Sequence, residues 1–247
     1  ASFALLQTRI ARKKLTPKIL QQVPAAFVAY DVLEVGGADL RAQPQRERRA
    51  VLEALARDTG LIVSPRVDAA DWEGYAALRA ESRRRGVEGL MLKRLDAPYR
   101  VGRSRDPGGA NWWKWKIDPY AVDAVLVYAQ PGSGRRASLF TDYTFAVWSD
   151  TVGAATRELV PFAKAYSGLS DAEIRQVDAI VRRTTLEKFG PVRRLDPTQV
   201  FEIGFEGIQR SPRHKSGIAV RFPRMLRWRQ DKPVAEADTL ATLQALL

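Results

Sequence analysis

Residues 87–116, VEGLMLKRLDAPYRVGRSRDPGGANWWKWK, join a short apolar run carrying one carboxylate to a tryptophan-rich run carrying two lysines. Gly86 and Gly89 bracket Glu88, and Leu90, Met91 and Leu92 read as a buried strand that delivers Lys93 to its far end. In Trp112-Trp113-Lys114-Trp115-Lys116, strand alternation puts Lys114 and Lys116 on one face and Trp113 and Trp115 on the other. Two ammonium groups side by side repel, so a strand that pairs them normally has an anion to offer them. Pro98, Gly102 and Asp106-Pro-Gly-Gly109 supply turn chemistry between the runs. A glutamate beside a glycine, or a lysine pair, is by itself a common solvated face. The combination is what points to two walls of one anionic-ligand site.

Charge points the same way. Forty Lys+Arg against 28 Asp+Glu give a net charge of +12 over 247 residues. The excess is clustered, with eleven basic and four acidic residues in 79–116 and eight basic and one acidic in 207–232. Two basic tracts suit an extended polyanion, and nucleic acid is the usual partner for such a surface. With 45% hydrophobic and 28% charged residues the chain is globular, and no run approaches the roughly eighteen uncharged apolar residues of a membrane span. It contains no cysteine, which excludes disulfides and thiolate metal sites, and its N-terminus lacks the sections of a signal peptide, so a cytoplasmic protein with no membrane partner is expected.

In chain order, Thr16-Pro17 reads as the cap and first residue of a short helix reaching Val23. Residues 25–35, AAFVAYDVLEV, read as a nearly continuous strand interrupted by Asp31 and ended by the Gly36-Gly37 turn. Residues 45–58 form an amphipathic helix with Val51, Leu52 and Leu55 on its apolar face, preceded by Arg46, Glu47, Arg48 and Arg49. Residues 61–67 form a short strand, and Asp71 caps a helix through Arg84. After Asp118-Pro119 the texture changes to five strand candidates, 121–130, 143–148, 158–163, 199–205 and 218–222. They are interrupted by one helix with a Ser170/Glu173 capping box that buries Ile174, Val177, Ile180 and Val181. Five strands with one inserted helix is the count for an OB-type barrel.

EGLMLK followed about twenty residues later by WWKWK resembles the fourth and fifth nucleotidyltransferase motifs of ATP-dependent DNA ligases. Phe27-Val-Ala-Tyr30-Asp31 resembles the family's strand with an aromatic residue before Asp. Residues 221–232, RFPRMLRWRQDK, resemble its last motif, which ends in Arg-x-Asp-Lys. The motifs stand in family order over essentially the whole chain, closest to the bacterial enzymes. The resemblance implies an α+β chain: the C-terminal part of an ATP-grasp-like nucleotidyltransferase (adenylation) domain of antiparallel sheets and helices at residues 1–118, then an OB-fold barrel with an inserted helix at 119–247. It also implies a nick-sealing activity in DNA repair, recombination or replication, through enzyme-adenylate and DNA-adenylate intermediates. ATP and Mg2+ or another divalent cation would be the cofactors, and nicked double-stranded DNA the substrate. A monomer near the bacterial nucleoid is expected.

By the same resemblance, Lys114 and Lys116 would hold the α-phosphate and Glu88 would engage the metal or its waters. Tyr30 would stack on adenine, with Phe27 its rival, and Met91 would pack the other face beside Lys93. Arg229, Asp231 and Lys232, with Arg221 and Arg224 before them, would orient the pyrophosphate. Arg100, Arg103 and Arg105, and Arg210, Arg213 and Lys215 around the lone His214, are read as contacts to DNA phosphates. The family's nucleophilic lysine lies in a Lys-x-Asp-Gly motif upstream of the Tyr30 strand. No such motif occurs in these 247 residues, the nearest being Lys116-Ile-Asp118-Pro119. The chain alone is therefore expected to be a ligase fragment that cannot adenylate itself. RNA ligases and capping enzymes share these motifs, but FEGIQRSPRHKSG (205–217) with the RFPRMLRWRQDK ending is closer to DNA ligase. A non-catalytic OB-type nucleic-acid-binding module is the reading from another class.

Overall fold

A computed structural model describes residues 3–100, 102, 111–150 and 156–247. The chain divides into two units, Ala1–Ile117 and Asp118–Leu247. The first opens with helices α1 (Phe3–Ile10) and α2 (Pro17–Gln22), the latter capped by Thr16, whose hydroxyl accepts the Ile19 N–H. Residues 25–35 are not one strand. Only β1 (Val28–Ala29) and β2 (Glu34–Val35) have ladder partners, because Asp31 turns its carboxylate onto the Val32 N–H and the Arg48 guanidinium and breaks the extended run between them. β2 turns through Gly36 and Gly37, both at positive φ, into β3 (Ala38–Asp39), as the Gly-Gly pair predicts.

Helix α3 (Gln45–Thr59) ends at a left-handed Gly60 and buries Leu52 together with Gln45 and Arg48. β4 (Ile62–Val63) lies parallel to β1. Helix α4 (Trp72–Ala80) is capped by Asp71, which accepts the Gly74 N–H at 2.8 Å. It stops short of Arg84, and residues 81–86 continue as turns. β5 (Gly89–Lys93) and β6 (Trp112–Lys116) form an antiparallel pair, with Gly89 opposite Lys116 and Lys93 opposite Trp112.

The second unit is built on one long strand, β7 (Tyr120–Pro131). One edge of β7 pairs with β8 (Phe140–Trp148), which pairs with β9 (Leu159–Ala165). After helix α5 (Asp171–Thr184) come β10 (Thr185–Phe189), β11 (Val192–Leu195), β12 (Val200–Phe205), β13 (Gly207–Arg210), β14 (Ile218–Arg221), β15 (Arg224–Trp228) and helix α6 (Leu240–Gln244). The other edge of β7 takes β12 along its first half and β11 near its end. Both faces of β7 are covered, which is why its sequence is apolar at almost every position. Val122, Ala124 and Leu126 enter a core with Tyr143, Phe145, Phe201 and Phe205, while Val125 and Val127 enter a second with Ala146 and Val200. Helix α5 carries the capping box and buries Ile174, Val177 and Val181, while Ile180 is half-exposed and Asp178 takes the remaining buried place.

The second unit has more strands than the five expected for an OB-type barrel, and its ladder does not close among the described residues. Seven strands form an open antiparallel sheet and β13–β14 forms a separate hairpin. A hydrogen bond from the Met225 N–H to the Ser167 carbonyl brings the end of β9 to β15 without pairing the two strands. Gly168 permits that approach: at φ 118° it has no Cβ, and one there would collide with the Met225 carbonyl. Mixed helices and antiparallel sheets make the chain α+β. Among the described residues no helix is long and apolar enough to cross a membrane.

Candidate functional site

Gly89 starts the site in the first unit. Its φ is 135°, and a Cβ there would strike the Trp115 carbonyl and lie 2.7 Å from the Lys116 Cα, so only glycine lets β5 and β6 approach this closely. Residues opposite one another in an antiparallel pair share a face. Lys116, Met91, Lys114, Lys93 and Trp112 therefore occupy one face of the hairpin, and Trp115, Leu90, Trp113 and Leu92 the other. Leu90 and Leu92 are half-buried and Met91 is 46% exposed, so the strand read as buried presents an accessible face. Glu88 meets this face at its end, where its Oε2 lies 2.9 Å from Lys116 Nζ. The repulsion expected between the two lysines is thus met in part by a carboxylate from the residue just before β5.

Lys93 ties the hairpin to residues 27–31. Its Nζ donates to the Tyr30 carbonyl at 3.1 Å and lies 4.0 Å from the Trp112 ring centroid and 5.0 Å from that of Tyr30. Burial lowers its pKa from the ordinary lysine value, opposed by the nearby Asp31 charge. Trp112 meets Tyr30 edge-on at 6.0 Å and Tyr99 at 5.5 Å. Of the two candidate stacking aromatics, the structure brings Tyr30 to this face; Phe27 is 75% exposed and has no ring contact among the described residues.

The sequence reading missed Arg48, which holds this region from behind. It is fully buried, pairs bidentately with Asp31 at 2.9 and 3.0 Å, and donates to Gln45 Oε1 and to the Gln43 and Ala97 carbonyls. Gln45, Arg48 and Leu52 recur at three- and four-residue spacing, a signal that put Arg48 on the inner face of α3. Around the other face of the hairpin, Trp72, Leu92, Trp113, Lys114 and Trp115 line an open, mostly apolar cleft that reading also missed, and the Arg79 guanidinium lies 5.5 Å from the Trp115 ring.

The second unit gathers Arg229, Asp231 and Lys232 at the end of β15. Arg229 is bidentate to Asp231, and both its NH1 and Lys232 Nζ reach one oxygen of Asp123, at 2.8 and 2.7 Å. The Asp231 hydrogen bond, aided by the Asp123 charge, raises the Arg229 pKa, and Arg229 lowers that of Asp231. Asp123 was not among the expected site residues, yet it is the one charged residue in the apolar run 121–130. Arg221 and Arg224 stand apart, Arg224 pairing with Glu206 at 3.2 Å and Arg221 lying over the Phe222 ring.

Arg210, Arg213 and Lys215 are exposed on or beside the β13–β14 hairpin, and Arg100 is exposed in the first unit. Arg103 and Arg105 lie outside the described residues. His214 Nδ1 lies 2.9 Å from Ser211 Oγ within the turn. Among the described residues no three His, Cys, Asp or Glu side chains converge as a metal site. Glu88 is a single carboxylate, and Mg2+ keeps most of its waters and takes only one or two carboxylates.

Comparison with known proteins bears on the family of the chain. The model for the ATP dependent DNA ligase domain matches residues 1–116, and that for the ATP dependent DNA ligase C terminal region matches residues 136–232. A "Probable DNA ligase" of Koribacter versatilis is 35% identical, covering 97% of this chain and 44% of the relative. One of Opitutus terrae is 35% identical over 99% of this chain and 26% of its own length. "DNA ligase 1" of Korarchaeum cryptofilum is 32% identical over 99% and 43%. The chain thus spans less than half the length of these relatives. Two solved structures share the fold: "Pmar-Lig_Pre." (TM-score 0.64, 19% identity, 93% of this chain and 49% of that one), and a structure from a study of Lig E DNA ligases (TM-score 0.58, 20% identity, 90% and 70%). Two family models matched in succession and ordered motifs lead to one assignment: the chain belongs to the ATP-dependent DNA ligase family.

Proposed function

We propose that this chain is the part of an ATP-dependent DNA ligase that grips the nucleotide phosphates and the nicked duplex. The observation that carries this reading is the register of β5 and β6, which sets Met91, Lys93, Lys114 and Lys116 on one face with Glu88 at its end. Phosphoryl transfer asks little covalent chemistry of a protein and much charge neutralisation and alignment. ATP, when bound, supplies the adenylyl group and the leaving pyrophosphate. Lys114 and Lys116 neutralise the phosphate undergoing attack, and Lys116 does so while Glu88 fixes its ammonium group. Glu88 would be the carboxylate that holds a divalent cation, which would add positive charge beside the phosphate. Tyr30 offers an accessible ring to the purine, and Lys93 holds the backbone of that residue in place through its carbonyl. In the second unit, Arg229 and Lys232 supply cationic donors to the pyrophosphate, while Arg210, Arg213 and Lys215, with Arg100 of the first, contact DNA phosphates.

A nick-sealing assay tests the proposal. The chain alone, having no Lys-x-Asp-Gly, takes up no AMP from labelled ATP. Joined behind a ligase segment that carries that motif, it seals a nicked duplex in ATP and Mg2+. A covalent AMP adduct on the isolated chain, or a folded chimera that binds DNA and leaves the nick open, contradicts the reading.

A further inference from the structure

Asp123 is a carboxylate in an unusual position. It sits in β7 between the buried residues Val122 and Ala124, and its side chain is 11% exposed. Its backbone is locked: Asp123 N–H donates to Asp238 Oδ2 at 2.7 Å, its carbonyl accepts the Asp238 N–H at 2.8 Å, and it lies opposite Glu202 in the β7–β12 ladder. One oxygen, Oδ2, receives both Arg229 and Lys232. The other, Oδ1, is buried with no hydrogen-bond partner. Arg229 and Lys232 are themselves only 19% and 21% exposed, and both line an open cleft with Gln199, Trp228 and Gln230. A carboxylate held through one oxygen while the other is orphaned is incompletely compensated, so exchanging it for another anion costs less than breaking a fully satisfied pair.

We infer that Asp123 is an internal counter-anion occupying the charge position of a phosphate ligand, and that it sets the affinity of Arg229 and Lys232 for pyrophosphate by competing with it. This deepens the reading that those two cations meet the leaving group, and it rests on that reading. The donor inventory leaves room for the exchange. Arg229 has five N–H donors and Lys232 three, and the carboxylates of Asp123 and Asp231 do not use them all. Asp231 takes two of those Arg229 donors, but its side chain is 65% exposed, whereas that of Asp123 is 11% exposed.

The test is calorimetric titration of the wild-type chain and its Asp123→Asn and Arg229→Ala variants with inorganic pyrophosphate at low ionic strength. Asp123→Asn is expected to bind about tenfold more tightly than wild type, the order produced by neutralising one partly buried charge a few ångströms from the anion. Arg229→Ala should weaken it by about tenfold or more. Arg229→Ala binding like wild type would overturn the pyrophosphate reading itself. Weakened Arg229→Ala binding without tightening in Asp123→Asn would overturn the role of Asp123 alone. Should Asp123→Asn fail to fold, the wild type still decides: saturating pyrophosphate should shift the Asp123 carboxyl carbon resonance, and an unmoved resonance refutes the competition.

Discussion

Lys93 shows how one residue can carry packing and electrostatics together. Its ammonium group is held against Trp112 and Tyr30, and burial lowers its pKa from the usual 10.5. The folded state therefore disfavours the charged form, and this penalty is fully present below the lowered value. Stability is expected to rise as pH increases through the interval between that value and 10.5, and to level off above it. A carbon resonance at Lys93 Cε titrating with a midpoint below 10.5 checks the shift, and one at or above 10.5 contradicts it. Arg48 carries a larger expected cost. Arg48→Met leaves Asp31 buried without its partner, so thermal or denaturant unfolding should show a loss of about 3–5 kcal/mol, while removing both charges should cost less. These two residues were unequally legible. Lys93 belongs to an ordered motif, whereas Arg48 stands among Arg46, Glu47 and Arg49 and reads as a solvated charge until its spacing from Gln45 and Leu52 is considered.

Among elements, the β5–β6 hairpin was the most readable, since strict alternation in WWKWK fixes which side chains share a face. Gly89 is its weak point: Gly89→Ala forces a side chain into a left-handed backbone position against the Trp115 carbonyl. It should destabilise the first unit by about 2 kcal/mol or more, measurable as a lowered denaturation midpoint, and an unchanged midpoint would refute the close approach. Residues 25–35 were misread because apolar content alone does not reveal that Asp31 turns inward to Arg48. β10 and β11 were missed because they are short and charged, and β10 is mostly exposed, so no clear apolar alternation marks them. A strand count likewise leaves closure undecided, because closure depends on whether β9 and β15 pair.

Over the whole molecule, the net charge of +12 predicts salt-sensitive DNA binding whose logarithm falls linearly with log salt. Replacing Arg210, Arg213 and Lys215 by alanine should reduce that slope by roughly 0.9 for each phosphate left unneutralised. An unchanged slope would remove these residues from the DNA surface. Ordered motifs made the family legible in the sequence, whereas Asp123 emerged only when folding brought β7 beside the end of β15. The central proposal is that one face of β5–β6 handles phosphate and the other does not. Its most direct test is the single-turnover sealing rate of the Lys-x-Asp-Gly-bearing chimera with Lys114→Met on one face and Trp113→Leu on the other. Loss of a transition-state cation should slow Lys114→Met by about a hundredfold or more, with Trp113→Leu within a few-fold of wild type. Equal losses, or a larger loss at Trp113, would contradict the assignment of the faces.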